Sequence, residues 1–401
     1  MPQATPAAAP ALHDCFAVVA PGLEDLALAE AVALGLPARL TEGGGGVEWS
    51  GDLKSVLRAN LGLRIASRVV VRVAQFEALS FAELERQARK VIWGRVIPPG
   101  STVRFRVTCK KSKLYHSDAV AQRVADAITR ALPGVVPVLR AGSAATPKSA
   151  SVDHEDEQVS ADEQLIIVRM FHDQCTVSAD ASGELLHRRG YRQATAKAPM
   201  RETLAAALIA ASGWDGVAPL VDPLCGSGTI PIEAALLARR LPPGASRGFA
   251  VERWPALSRA TAVRVRAELM AEALAAVQGV IRGSDRDAGA IGAAVANAER
   301  AGVSGDVSFA ERAISGLALP GGAPGFVVAN PPYGIRVGDV DRIRDLWARF
   351  GSVLRERGRG WRIALLSPDP ALERQLGISV RVVATTSNGG IPIRIVVGEV
   401  P

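Results

Sequence analysis

The motif Asn330-Pro331-Pro332-Tyr333 combines residue types suited to chemistry on an amino nitrogen. Two consecutive prolines hold an extended backbone that cannot enter a helix. The Asn330 side-chain carbonyl and the Pro331 main-chain carbonyl are two acceptors that match the two N–H donors of a planar amino group. Tyr333 adds an aromatic face for an extruded base, a contact worth roughly 1–3 kcal/mol. The motif indicates a site that holds the exocyclic amine of a base.

The glycine loop (DPLCGSGT, residues 222–229) lies between the predicted strand Leu220-Val221-Asp222 and a helix predicted over Ile230 to Arg240. Gly226 and Gly228 allow the backbone to lie close to a ligand. The N-terminus of the helix presents unpaired N–H groups and a positive dipole end. The loop matches neither the G-x-x-x-x-G-K-[ST] nor the full G-x-G-x-x-G pattern, so a nucleotide phosphate is disfavoured as its ligand.

A third loop, Gly283-Ser284-Asp285-Arg286-Asp287, follows the predicted strand Val280 to Gly283. An acidic residue at the end of such a strand can accept hydrogen bonds from both hydroxyls of a ribose. Either aspartate could instead cap the helix that begins near Ala288. We assign ribose binding to Asp285 and helix capping to Asp287.

All three loops follow short apolar strands in the C-terminal half, where strands, glycine turns and long helices alternate from Pro199 onward. This order predicts a doubly wound parallel sheet of the α/β class. Because ligands bind beyond the carboxyl ends of such strands, the three loops should form one site.

The N-terminal half is predicted to be α+β and to contain an insertion. Residues 1–12 are expected to be a flexible tail, and residues 141–164, rich in small and acidic side chains, a disordered insertion. Ser117 is the expected cap of a helix over Asp118 to Leu132. The predicted units are 13–55, 56–183 and 184–401.

Basic side chains cluster at two places in a chain of formal net charge +7. One group lies at a strand-to-helix junction and the other where the halves join, with Tyr191, which could pack between them. A charge run is often a solvated face, but phosphate contact is the functional interpretation, and RNA the expected partner. The members of the two groups are Lys110, Lys111, Lys113, His116 and Arg123, and Arg188, Arg189 and Arg192.

Composition excludes several other classes of protein. The four cysteines are scattered without a C-x-x-C pair, so we expect reduced thiols and no metal site. The N-terminus lacks the pattern of a secretory signal, and no apolar run is long enough to span a bilayer. A cytoplasmic location is therefore expected.

Taken together, DPLCGSGT, GSDRD and NPPY resemble the Rossmann-like class I amino-methyltransferases. The N-terminal half resembles a ferredoxin-like segment (13–55) followed by a THUMP domain (56–183). The likeness runs from about Asp14 to the C-terminus. Residues 110–124, 183–192 and 198–208 carry the likeness of the N-terminal half. The likeness as a whole is greatest to the guanine-N2 methyltransferases of bacterial large-subunit ribosomal RNA, supported by residues 212–216 and 247–255.

The resemblance implies S-adenosylmethionine as cofactor and a role for each matching residue. Asn330 to Tyr333 would receive the target base, and Asp285 would hold the ribose. Relatives usually place an adenine-binding Asp where this chain has Arg312 or Ala313, so Glu311 or the backbone would have to substitute. The remaining residues implied in cofactor binding are Asp222, Pro223, Gly226, Gly228 and Thr229, with Glu202 and Thr203 closing the pocket.

The expected activity is methylation of a guanosine N2 in large-subunit ribosomal RNA. A transfer-RNA guanosine is the alternative substrate, since THUMP domains commonly engage transfer RNA. Adenine N6 in DNA and glutamine in release factors, which the NPPY motif also serves, fit the basic N-terminal half less well. A non-catalytic RNA-binding protein with a decayed methyltransferase fold is the alternative of a different class, suggested by the missing Asp.

Overall fold

The computed structural model describes residues 12–139, 163–193, 200–333 and 340–401, apart from the side chain of Val340. The predicted tail and insertion thus lie outside the described residues, except for Leu12, Glu163 and Gln164. The last two begin a strand, so the predicted end of the insertion was wrong by two residues. The buried Gln164 amide is fixed there, donating to Asp180 O at 2.9 Å and accepting from Trp254 Nε1 at 2.8 Å.

The N-terminal half contains a mixed eight-stranded sheet in the order β2-β3-β1-β4-β8-β7-β5-β6. Its strands are β1 (His13–Val18), β2 (Arg39–Leu40), β3 (Gly46–Gly51), β4 (Arg68–Glu77), β5 (Thr102–Lys110), β6 (Val136–Val138), β7 (Glu163–Phe171) and β8 (Gln174–Asp180). Its helices are α1 (Glu24–Ala33), α2 (Leu53–Gly62), α3 (Phe81–Ala88) and α4 (Ser117–Ala131).

Strand β4 joins the two predicted N-terminal units, because it pairs with β1 on one side and β8 on the other. The predicted boundary between residues 55 and 56 falls inside α2, whose N-cap Asp52 accepts from Ser55 N at 2.9 Å. The predicted Ser117 cap is wrong by one residue. Ser117 is the first residue of α4, and His116 occupies the cap position without a side-chain hydrogen bond.

The C-terminal half contains a seven-stranded sheet in the order β11-β10-β9-β12-β13-β15-β14. Its strands are β9 (Leu220–Asp222), β10 (Ile281–Asp285), β11 (Val307–Glu311), β12 (Phe326–Ala329), β13 (Arg362–Ser367), β14 (Val380–Asn388) and β15 (Ile391–Glu399). Its helices are α5 (Glu202–Ser212), α6 (Thr229–Ala238), α7 (Arg259–Met270), α8 (Ala288–Arg300), α9 (Val340–Arg357) and α10 (Pro370–Leu376).

Strands β9 to β13 are parallel, and β15 runs antiparallel to β13 on one side and to β14 on the other. The strand order reverses between β9 and β12, the switch point at which α/β sheets bind their ligands. The glycine loop follows β9 and the NPPY loop (residues 330–333) follows β12. The predicted doubly wound fold is confirmed. Among the described helices, none is both long and apolar enough to cross a membrane.

The joint segment (residues 181–193) connects the two halves through buried charges. Arg189 is 3% exposed, and its guanidinium donates to Arg64 O at 2.6 Å and lies 3.6 Å from the Glu233 carboxylate on α6. Tyr191 donates to the same carboxylate at 3.1 Å. Arg64, two residues after α2, in turn donates to Leu241 O at 2.6 Å. The two halves are thus fastened by hydrogen bonds that water cannot reach.

Replacing Arg189 by alanine should destabilise the protein by roughly 3–5 kcal/mol, because Glu233 would remain as a buried charge without this partner. Arg188→Ala is the matched control, since that neighbouring side chain is 31% exposed. It should change the free energy of unfolding by less than about 0.5 kcal/mol. Urea unfolding of both variants checks this, and equal effects would contradict the joint described here.

Candidate functional site

A cavity of about 1190 Å³ lies at the carboxyl ends of β9, β10 and β12. It brings together most of the residues predicted from the three loops. These are Asp222, Pro223, Gly226, Thr229, Asp285, Asn330, Pro332 and Tyr333. Pro331 is buried and is not among the residues that line the cavity. The convergence expected from parallel strands is therefore present.

The glycine loop is held by hydrogen bonds to its own strands. Asp222 Oδ1 accepts from Leu224 N at 3.0 Å, and Cys225 N donates to Ser284 O at 2.9 Å. Gly226 N donates to Asp285 Oδ2 at 3.0 Å, which locks the loop to the end of β10. Three amides of the loop are thus already hydrogen-bonded within the protein, so the loop is rigid before any ligand contacts it.

Gly226 and Gly228 have different roles, although both have positive φ angles of 51° and 84°. A Cβ on Gly226 would meet nothing within 4 Å, because this residue faces the open cavity. A Cβ on Gly228 would lie 3.0 Å from Ala294 Cβ and from the Phe309 ring. Gly228 does not line the cavity, which corrects its predicted role to one in packing α6 against α8.

Two carboxyl groups make one side of the cavity acidic. Burial raises the pKa of Asp222 well above its usual range, and the negative charge of Asp285 adds to the shift. Each oxygen of Asp285 already accepts one N–H, from Gly226 and from Asp287 at 3.1 Å, and keeps a further lone pair for a ligand hydroxyl. Asp287 caps α8, accepting from Gly289 N at 2.8 Å, in accordance with its predicted role.

The NPPY loop presents an acceptor that none of the described residues uses. Asn330 Oδ1 is buried and has no hydrogen-bond partner among the described residues. The Tyr333 hydroxyl accepts from Asn388 Nδ2 at 2.6 Å, and burial raises the pKa of this tyrosine. An orphaned buried acceptor costs about 1–3 kcal/mol, a cost that an incoming N–H donor would remove. The loop can therefore accept a hydrogen bond from such a donor.

Three residues assigned to the cofactor pocket lie elsewhere. Glu202 and Thr203 are buried in the first turn of α5 and do not line the cavity, which takes Met200 from this segment instead. Burial raises the pKa of Glu202 to about 7, and the Arg192 guanidinium paired with it opposes that shift. Glu311 is exposed and also does not line the cavity, whereas Arg312 does.

One wall of the cavity and the partner of Tyr333 were not predicted from the sequence. Residues at positions i, i+3, i+4 and i+7 of α9 face the cavity, a spacing that was visible in the sequence. They are Arg342, Asp345, Leu346 and Arg349. Asn388 lies 55 residues after Tyr333, and no local pattern connects the two.

The basic group at the end of β5 lies on the protein surface. Lys110, Lys111 and Lys113 are exposed, and Arg123 on α4 lies 3.7 Å from Glu85. Two aromatic rings that the sequence analysis did not single out, Tyr115 and Phe171, are 68% and 40% exposed in the same region. Phe171 is paired with Lys110 across β5 and β7. Lysines can contact the phosphates of a nucleic acid, and exposed aromatic rings beside them can stack on its bases.

The basic group at the joint is mostly internal, so two of its predicted RNA contacts are wrong. Arg189 is buried between the halves. Arg192 has an 11% exposed side chain that pairs with Glu202 and donates to Met200 O at 2.7 Å. Only Arg188 of this group remains partly exposed. The sequence could not separate these arginines, because buried and exposed ones carry the same charge.

Family comparisons agree with this architecture. Residues 189–395 match the RMKL-like methyltransferase domain, residues 14–70 the RlmL ferredoxin-like domain and residues 78–180 the THUMP domain. The chain belongs to the RMKL-like methyltransferase family. The resemblance inferred from the motifs is thereby confirmed.

Individual relatives of this RMKL-like methyltransferase extend over nearly all of the chain. A protein of Synechocystis, slr0064, named as an RNA methyltransferase, is 32% identical over 94% of each chain. Ribosomal RNA large subunit methyltransferase K/L of Methylococcus capsulatus is 34% identical, and the chain spans about half of its length (51%). The crystal structure of SMU.472 complexed with SAH is similar at a TM-score of 0.83, with 28% identity and coverage of 97% and 98%.

Replacing each of the two loop glycines by alanine should distinguish their roles, because the two variants should lose different amounts of stability. Gly226→Ala should cost about 1–2 kcal/mol, the penalty of a side chain in the left-handed region. Gly228→Ala should cost about 1–3 kcal/mol more, because its methyl group would press against Ala294 and Phe309. Thermal unfolding of both variants measures the difference, and a Gly226→Ala variant as unstable as Gly228→Ala would refute the assignment.

Proposed function

We propose that this RMKL-like methyltransferase transfers a methyl group from S-adenosylmethionine to the exocyclic N2 of a guanosine in large-subunit ribosomal RNA. The protein is an S-adenosylmethionine-dependent RNA methyltransferase, and its family and THUMP domain support that coarser statement. The N2 position and the ribosomal target are our proposal. They are motivated by the unused Asn330 acceptor and by the K/L relative.

The residues present fit S-adenosylmethionine. Gly226 leaves open space where a side chain would fill the cavity, and Asp222 and Asp285 provide acidic groups for a cation and for ribose hydroxyls. Together with Pro223 and Thr229, these residues would hold the cofactor. When bound, S-adenosylmethionine supplies an electrophilic methyl group on a positively charged sulfur. The cavity volume, about 1190 Å³, exceeds the roughly 300–1,000 Å³ of common ligand pockets, which leaves room for a base as well.

The buried Asn330 oxygen is the observation that carries the proposed chemistry. Guanine N2 is a poor nucleophile, because its lone pair is delocalised into the ring. Asn330 Oδ1 would accept one N2–H and the Pro331 carbonyl the other, holding the nitrogen in a geometry that frees the lone pair. The consecutive prolines keep both acceptors fixed, so little reorganisation is required when the base arrives.

Tyr333 would stack on the base that Asn330 holds. Its ring lines the cavity, and its hydroxyl is anchored by Asn388 from the β14–β15 hairpin. A ring held at its far end loses little rotational freedom when a base stacks on it, which favours binding. Asn388 is therefore a positioning residue in this proposal and does not contact the reacting nitrogen.

Asn330→Ala should lower kcat at least about 100-fold, the typical loss when one preorganised hydrogen-bonding group is removed from an active site. The affinities for S-adenosylhomocysteine and for RNA should stay within about threefold, less than 1 kcal/mol. Asn388→Ala is the control that removes an amide without removing the acceptor, and it should lose less activity. Single-turnover methylation assays decide the matter, and near-normal turnover of Asn330→Ala with intact RNA binding would refute the proposed role.

The exposed lysines at the end of β5 should contact RNA phosphates. Reversing the charges in Lys110→Glu/Lys111→Glu should weaken RNA binding and make its dependence on salt shallower, because fewer counterions are released. The matched control, Lys54→Glu/Lys90→Glu, reverses two exposed lysines elsewhere in the N-terminal half. Binding titrations at several salt concentrations measure both effects. Identical slopes in the two variants would show that RNA binds elsewhere.

A further inference from the structure

The peptide between Ser227 and Gly228, at the centre of the glycine loop, is held from outside the cavity. Ser227 O accepts from Asn297 Nδ2 on α8 at 3.0 Å. Gly228 N donates to Cys225 O at 2.8 Å. Because a peptide unit is planar, these two bonds together fix the orientation of the whole plane. Ser227 lines the cavity and Asn297 does not, so the amide acts on the cavity wall from behind.

Packing alone does not explain an asparagine at position 297. Its side chain is fully buried, and its neighbours on the same face of α8, Ala294 and Ala298, are small and apolar. A buried amide costs free energy unless its polar atoms are hydrogen-bonded, so an apolar residue would serve packing at least as well. The hydrogen bond to Ser227 O is one feature that the asparagine contributes and that an apolar residue could not.

Arg300 orients the Asn297 amide and connects it to the joint segment. Its guanidinium donates to Asn297 Oδ1 and, through Nε, to Tyr191 O at 2.7 Å. With the oxygen of the amide engaged by Arg300, the nitrogen must point to Ser227 O. A continuous path of hydrogen bonds thus runs from the joint segment through Arg300 and Asn297 to the glycine loop.

We propose that Asn297 is a positioning residue for cofactor binding, oriented by Arg300 from the joint between the two halves. The inference rests on the proposed binding of S-adenosylmethionine at the glycine loop. Losing the amide N–H leaves the Ser227–Gly228 peptide held at one end only, so the wall that faces the cofactor would lose its fixed shape. The affinity for the cofactor then depends on two residues that do not line its cavity.

Asn297→Asp tests this most sharply, because it keeps an oxygen for Arg300 and removes the donor to Ser227. We expect the Kd for S-adenosylhomocysteine, measured by calorimetry without RNA, to rise about tenfold, equivalent to ~1.4 kcal/mol. The KM for S-adenosylmethionine should rise similarly, while kcat at saturating cofactor stays within about threefold. Glu299→Gln, an exposed neighbour on α8, is the matched control and should change neither.

Hydrogen exchange separates positioning from a general loss of structure. In Asn297→Asp, faster exchange should be confined to amides of residues 225–229. Faster exchange through both halves would mark Asn297 as merely structural and overturn the proposal. If the buried aspartate prevents folding, Arg300→Met removes both bonds from a residue at the surface end of α8 and should weaken S-adenosylhomocysteine binding by about threefold, less than 1 kcal/mol.

The outcomes also distinguish this inference from the proposed function. Unchanged Kd values in both variants, with a wild-type protein that binds S-adenosylhomocysteine, would overturn the positioning role alone. A wild-type protein that fails to bind S-adenosylhomocysteine would overturn the cofactor assignment and the positioning role together.

Discussion

The side-chain oxygen of Asn330 is buried and takes no hydrogen bond from any residue that the structure describes, and the surrounding structure keeps it in place. Strand β12, directly before it, is paired on both sides, with β9 and with β13, so the residue cannot shift with a flexible loop. The prolines that follow remove two backbone N–H groups that could otherwise have satisfied the oxygen locally. A polar atom left in this state costs about 1–3 kcal/mol, which the rest of the fold must offset.

An unpaired acceptor serves methyl transfer only if the cofactor binds beside it. The glycine loop forms the proposed binding site for that cofactor. Its amides are satisfied by Asp222, Ser284, Asp285 and Cys225, so the cavity wall is set by the ends of β9 and β10. A rigid wall spends little conformational entropy when a ligand binds. Rigidity on both sides of the cavity is thus the shared property of the two loops.

The joint segment extends this rigidity to the N-terminal half. In this segment, Arg189 donates to Arg64 O just after α2, and Tyr191 contacts both Glu233 on α6 and Arg300 on α8. The exposed lysines that are proposed to contact RNA therefore belong to a half that is fastened to the catalytic half by buried bonds. RNA bound on one half would have a defined position relative to the cavity in the other.

Much of this arrangement could be predicted from the sequence, and the failures share one cause. Local patterns predicted four strands of the second sheet, the three loops and the Asp287 cap, because each depends on a few neighbouring residues. The sequence did not reveal that Arg189 and Arg192 are internal, that Gly228 serves packing or that Asn388 anchors Tyr333. Each of these depends on contacts between residues far apart in the chain, which charge and spacing do not encode.

The cavity is proposed to hold an exocyclic amine of a base. Identifying the atom that receives the methyl group tests this proposal directly. Large-subunit ribosomal RNA lacking its own modification would be incubated with the purified protein and S-adenosylmethionine carrying a deuterated methyl group, then digested to nucleosides for mass spectrometry. Deuterated N2-methylguanosine is the expected product. A label found on a ribose hydroxyl, a ring nitrogen or a ring carbon would contradict it.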